Sequence, residues 1–225
     1  MLLCYYRGTM QLFLVACMPL LFALVILLPW DRRAPRPLAL VSAYFRGVLL
    51  FFPGYVVIVI VRAIAGFSYS GFLFYLSLFA RDHWAPMAAA LTAFLLVNRL
   101  TVIPDTDEGV FLNVFAFLAG FYTLVNLTDL VRGWGNWTGY ELFVLPVLRL
   151  AGVLLVSMAA RRYFRWQGRD AALFGLVATC LAALLTVASY LLLHGLALWA
   201  GLGTAVAAGA AVVAFAMRFP RAVRG

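Results

Sequence analysis

One arginine stands in the middle of an apolar run. In "ELFVLPVLRLAGVLLVSMAA", Arg149 comes eight residues after Glu141 and twelve before Arg161. On a helix rising ~1.5 Å per residue it lies about 12 Å from the first charge and about 18 Å from the second. A guanidinium that deep in a bilayer costs at least ~2.5–3.5 kcal/mol, so it must be partnered inside the protein or serve a ligand. Cα–Cβ bonds tilt toward a helix's N-terminus, so Arg149 leans toward the depth of Glu141. Pro146, one turn earlier, frees a backbone carbonyl that the guanidinium can satisfy. Two readings follow: a lock on helix packing through carbonyls or an acid, and a contact to an ion, an anion or a lipid headgroup. Arg46 raises the same question more weakly. A helix starting near Tyr44 would put it at the interface, where its charge can extend into the headgroups.

A second group of reactive types collects at the ends of apolar runs: Asp82, His83, Asp129, Glu141 and His194. Two imidazoles and three carboxylates are the raw material of a metal site or an acid–base pair. None of them has metal-site spacing such as H-E-x-x-H, and charged and histidine side chains are ordinary near span ends. No metal and no cofactor is expected. In the run 109–129, Asn113, Ala116, Ala119, Gly120, Thr123 and Asn126 fall within one arc of about 140° at 100° per residue. Small and amide side chains on one face serve close helix packing, or else line a path for a substrate. The candidate substrate-binding set is Arg149, Glu141, Asn113, Thr123 and Asn126. Asp82, His83, Asp129 and His194 form a candidate polar cluster on the outer face. Small residues at four-residue spacing also recur at Gly175, Thr179 and Ala183, and at Gly201, Ala205 and Gly209, where they suit bundle packing.

Other chemistry is missing from the sequence. There is no G-x-x-x-x-G-K-[ST] phosphate loop, no G-x-S-x-G elbow and no C-x-x-C. Cys4, Cys17 and Cys180 are odd in number, and two lie in apolar runs, so they read as small hydrophobes rather than a disulfide framework. "NLT" and "NWT" match the glycosylation acceptor pattern, but one falls within a run and the other hard against it.

The elements that must position these residues follow from composition. The 225 residues are 66% hydrophobic and 11% charged, with a mean hydropathy of +1.03. A soluble domain is about 45–50% apolar and about 25% charged, so the surplus here must face lipid. The expected fold is all-α: one polytopic membrane bundle of about seven spans (range six to eight), with no soluble domain. Helices are predicted at 10–29, 40–61, 84–103, 109–129, 141–160, 171–193 and 198–217, with a kink at Pro53-Gly54. The run 10–28 exceeds the core of a signal peptide and reads as a span. Barrel strands are disfavoured because the runs are unbroken rather than alternating.

The net charge of +9 comes from arginine alone, with no lysine. Because the arginines flank apolar runs, they mark cytoplasmic loops rather than a nucleic-acid surface. "RRYFRWQGRD" and "RFPRAVRG" are two spans apart, so both fall on the cytoplasmic side, together with the C-terminus. Residues 131–140 and 81–83 then lie outside. Residues 63–80, rich in Gly, Ser and aromatics, decide the N-terminal side. If they are re-entrant or interfacial, "DRRAPRP" is cytoplasmic, which agrees with the arginine bias and favours seven spans.

The aromatic hairpin "DLVRGWGNWTGYELF" reads as a short outer loop. Trp134, Trp137 and Tyr140 anchor it at headgroup depth. Arg132 is spaced to pair with Asp129. Size and span count resemble those of small permease subunits, a likeness at the level of the fold alone. The leading functional reading is a permease or transporter-type subunit in a bacterial inner membrane, binding an anionic or amphipathic substrate. A partner could dock at Arg161, Arg162, Arg165 and Arg169. The alternatives are a non-catalytic scaffold subunit and a membrane enzyme acting on lipid headgroups at the outer face.

Overall fold

The structure, a computed structural model, describes residues 38–65, 73, 77, 80–98, 107–132, 145, 146, 149, 150, 152–154, 156 and 157. All are helical. They form α1 (Leu38–Ala65), a π-helical turn (Ala80–Trp84), α2 (Ala85–Asn98) and α3 (Asp107–Arg132), together with helical residues between 145 and 157. Two of the helices, over Leu38–Ile64 and Gly109–Arg132, are long and apolar enough to cross a membrane, which fits a membrane-associated chain. The predicted helices at 10–29, 171–193 and 198–217, and with them the total of about seven, lie outside the described residues.

α1 and α3 are each longer than predicted. α1 continues through Pro53 and past Arg62. Interior proline is tolerated in spanning helices because neighbours and local adjustment satisfy the freed carbonyl. The early start at Leu38 puts Arg46 two turns inside the helix rather than at its mouth. Its Nε donates to the Ser42 carbonyl of the same helix (3.3 Å). α2 begins with Ala85-Pro86, directly after the π-helical turn.

α3 is the central element. In its most apolar stretch 78% of the residues are buried, against 22% for α1. α1 is apolar all round but covered on one side only. Leu40, Ala43, Gly47, Phe51, Gly54, Ile58 and Arg62 recur every three or four residues and are buried. Phe45, Leu49, Phe52, Val56, Ile60 and Ile64 point away and are exposed. Such a helix is at home against lipid and poorly suited to water.

The covered side of α1 meets α3 at unusually short range. A Cβ built on Gly47 would stand 2.0 Å from the Phe117 carbonyl oxygen, and one built on Gly120 would stand 2.1 Å from the Tyr44 carbonyl oxygen. The two glycines each admit the other helix's backbone, flanked by Ala43 on α1 and by Ala116 and Ala119 on α3, all buried. Small residues four apart on both helices are the pattern that permits this approach. Edge-on ring pairs fill in around it: Phe51 with Phe121 (5.5 Å, 71°) and, from α2, Phe94 with Phe117 (5.3 Å, 70°). Ala89 and Ala90 bring α2 into the same core.

Candidate functional site

Three helices converge on one carboxylate. Asp129, near the C-terminal end of α3, takes both terminal nitrogens of Arg62 from α1: Nη1 to Oδ1 at 2.8 Å and Nη2 to Oδ2 at 3.2 Å. Arg149, from the helical residues 145–157, donates through Nη2 to Oδ2 at 2.5 Å and through Nη1 to the Asn126 Oδ1 at 2.7 Å. Asn126 and Asp129 are one turn apart on α3, so a single guanidinium spans both. Arg62 fits its carboxylate as a fork, the geometry that planar guanidinium favours.

The groups differ in access. The side chains of Arg62 and Arg149 are 7% and 2% exposed, and Asp129 is 23% exposed. The cations are therefore buried, while the carboxylate is partly exposed. The Nε atoms of Arg62 and Arg149 are buried without a hydrogen-bond partner among the described residues. Among the described residues, two guanidiniums against one carboxylate leave one positive charge over.

The π-helical turn supplies the rim. Arg81 grips Asp82 with Nε to Oδ1 and Nη2 to Oδ2, both 2.8 Å, so this pair is neutral. His83 is buried. Burial pulls its imidazole down from 6.5 to about 4; the positive charge of Arg149 adds to the effect and Asp82 opposes it. His83 is consequently uncharged at neutral pH and does not change the surplus. π-Helical turns recur at functional sites, where they re-aim neighbouring side chains.

One turn below the cluster, Thr123 accepts a hydrogen bond from the Tyr44 hydroxyl (3.1 Å) and donates to the Ala119 carbonyl (2.8 Å). The polar stripe predicted on α3 thus divides between two neighbours. Gly120 and Thr123 meet α1, and Asn126 meets Arg149. Asn113 is half-buried and about 20 Å down the helix from Asn126, out of reach of the cluster. Arg132 is exposed at the last turn of α3. The anticipated Asp129–Arg132 contact gives way to Arg62 and Arg149, because Asp129 turns into the helix interface. Glu141 and His194 lie outside the described residues, as does the loop with Arg161, Arg162, Arg165 and Arg169. Among the described residues no three His, Cys, Asp or Glu side chains are grouped to hold a metal.

Arg62 is the cluster member that pattern reading passed over. The signal was available: the buried track of α1, extended by four residues from Ile58, lands on it.

Comparison of the chain with family models, characterised proteins and solved structures finds no match.

Proposed function

We propose that the chain is a polytopic integral membrane protein of the small permease-subunit type, taking an anionic or amphipathic substrate at Arg62 and Arg149. The observation that carries this is the charge count. Among the described residues, two buried guanidiniums share one carboxylate beside a neutral His83, so the cluster as described holds a surplus positive charge in a low-dielectric setting. A buried surplus of positive charge draws anions toward the cluster. A cytoplasmic-membrane location with the C-terminus inside is part of this reading, and so is docking of a partner at residues 161–169.

The cluster also supports a threading. Arg62 and Asp129 each lie near the C-terminal end of their helix, and the two meet. If both helices cross, those ends share a face. α2, preceded by the turn that carries His83, then runs the other way, and residues 63–80 do not cross. That is the arrangement the arginine bias favours.

A second reading, a non-catalytic scaffold, is favoured by one fact: Asp129 and Asn126 already engage the terminal nitrogens of Arg149. The two readings separate in a thermal-shift titration of the purified chain in detergent. Formate, hexanoate, sulfate and phosphate are each compared with sodium chloride at equal ionic strength. A saturable rise in melting temperature with one of them, lost in Arg62→Gln, supports the anion site. Responses that track ionic strength alone support the scaffold.

A further inference from the structure

We propose that Asp129 is a tethered stand-in for a carboxylate ligand: the ligand takes over the two guanidiniums, and Asp129 then takes up a proton. This rests on the anion-site reading and adds a ligand class and a coupled ion to it.

The geometry supplies the ligand class. The donors from Arg62 and Arg149 are already arranged around a planar, two-oxygen anion, with distances of 2.8, 3.2 and 2.5 Å to the two oxygens of Asp129. A free carboxylate reproduces that pattern atom for atom, whereas a tetrahedral oxyanion does not. The access gradient supplies the route. The guanidiniums are 7% and 2% exposed, and that of Arg149 is also held by Asn126, whereas the Asp129 carboxylate is 23% exposed. An incoming anion therefore meets Asp129 first and reaches the cations by displacing it.

Displacement supplies the coupled ion. Asp129 stays ionised because both arginines neutralise it. A carboxylate that loses its cations while most of its surface remains buried is favoured as the neutral acid. The exchange balances: one anion and one proton enter, the Asp129 ion pairs are replaced by identical pairs to the ligand, and the cluster's charge is unchanged. Among the described residues, no other charged group takes over the proton. Arg62 faces Asp129 from α1, and Arg149 from 145–157. Arg81 and Asp82 neutralise each other on the π-helical turn, where His83 is already neutral. Arg132, on the same helix, is exposed, and Tyr122 is a fully buried phenol one turn beyond Asn126. By reciprocity, the proton must strengthen anion binding as much as the anion strengthens proton binding.

The test uses the full chain in detergent with formate as probe, from pH 5.5 to 7.5. Wild type should bind formate about tenfold more weakly for each pH unit gained, the signature of one linked proton. Asp129→Asn, which is neutral without a proton, should bind more tightly and independently of pH. As a second measurement, wild type in weakly buffered solution with a pH dye should take up about one proton per formate bound. Equal, pH-flat affinities in wild type and Asp129→Asn, or binding without proton uptake, overturn the exchange and leave the anion site standing. Binding of sulfate or phosphate but not formate overturns the carboxylate assignment alone. If Asp129→Asn fails to fold, proton uptake by wild type decides. No anion bound by wild type at any pH removes both the exchange and the reading beneath it.

Discussion

Placing a methyl group at Gly47 or Gly120 should force α1 and α3 apart, and the size of the effect follows from the crossing. The new Cβ at Gly47 would stand 2.0 Å from the Phe117 carbonyl oxygen, where real contacts begin at about 3.0 Å. Relief requires a separation of at least about 1 Å, and the obstacle is helix backbone rather than a side chain that can swing away. A gap of that size forfeits roughly a quarter to a half of each dispersion contact across the interface. Overpacking of this kind costs about 1–3 kcal/mol, against a gain of roughly 0.5–1 kcal/mol for alanine over glycine in a helix. A net loss of about 1–2 kcal/mol corresponds to a melting point lower by roughly 2–8 °C for a chain of this size. The assay is thermal unfolding in detergent across a graded series. Gly120→Ala should match Gly47→Ala. Gly54→Ala should cost less, because its near neighbours are ring atoms of Phe121 at 2.9 Å. Gly152→Ala meets only the Met87 Cε at 3.7 Å and should be neutral or slightly stabilising. The double variant at 47 and 120 should lose less than the sum, since one separation relieves both clashes. If Gly47→Ala melts with Gly152→Ala, the close crossing is refuted.

The remaining predictions concern the cluster and its rim. Asp129→Ala leaves two buried guanidiniums facing each other and should cost about 3–5 kcal/mol. Arg62→Met leaves the neutral Arg149–Asp129 pair and should cost clearly less, as read by melting temperature at pH 7. For His83, the folded-state value near 4 lies below the ordinary imidazole value of 6.5, so the unfolded chain binds more protons between those limits. Stability should therefore rise with pH across that window. The loss below it should reach about 3 kcal/mol at most, at ~1.4 kcal/mol per tenfold change in proton affinity. His83→Gln should flatten the pH dependence of the melting temperature there, and an unchanged profile would show that another group titrates. Tyr44→Phe removes the hydrogen bond to Thr123 and should cost about 0.6 kcal/mol, and no more than about 1.7 kcal/mol, in thermal unfolding, as for interhelical bonds within membranes.

Much of the helical layout was legible because long apolar runs bounded by charge admit few alternatives. The helical character of the described residues and the existence of the helices realised as α1, α2 and α3 follow from hydrophobicity alone. Their ends do not. Arg62 looked like a boundary because arginine usually marks a loop, yet its side chain is neutralised by a carboxylate 67 residues away in sequence. Only tertiary contact reverses that rule. Arg149 was conspicuous because an arginine inside an apolar run demands a partner. Naming Asp129 as that partner needed the helices' relative rotation, which periodicity leaves open. The same limit explains Arg132, which had the right spacing for Asp129 but sits on the outward side of α3. Gly47 carried a legible hint, a small residue four positions after Ala43, although its counterpart at Gly120 was visible only as part of a polar stripe.

The glycine crossing also fixes where α1 can turn. With backbone against backbone at Gly47 and Gly120, neither a lipid chain nor a water fits between the helices at that point. A tilt of α1 about that point would leave the close contact in place. Arg62 lies fifteen residues farther along, a lever of about 22 Å. A tilt of about 5° at the fulcrum sweeps Arg62 through about 2 Å, enough to part its fork from Asp129 while hardly moving Tyr44. A change too small to disturb the packed middle of the helix pair is magnified into the making or breaking of an ion pair at its end.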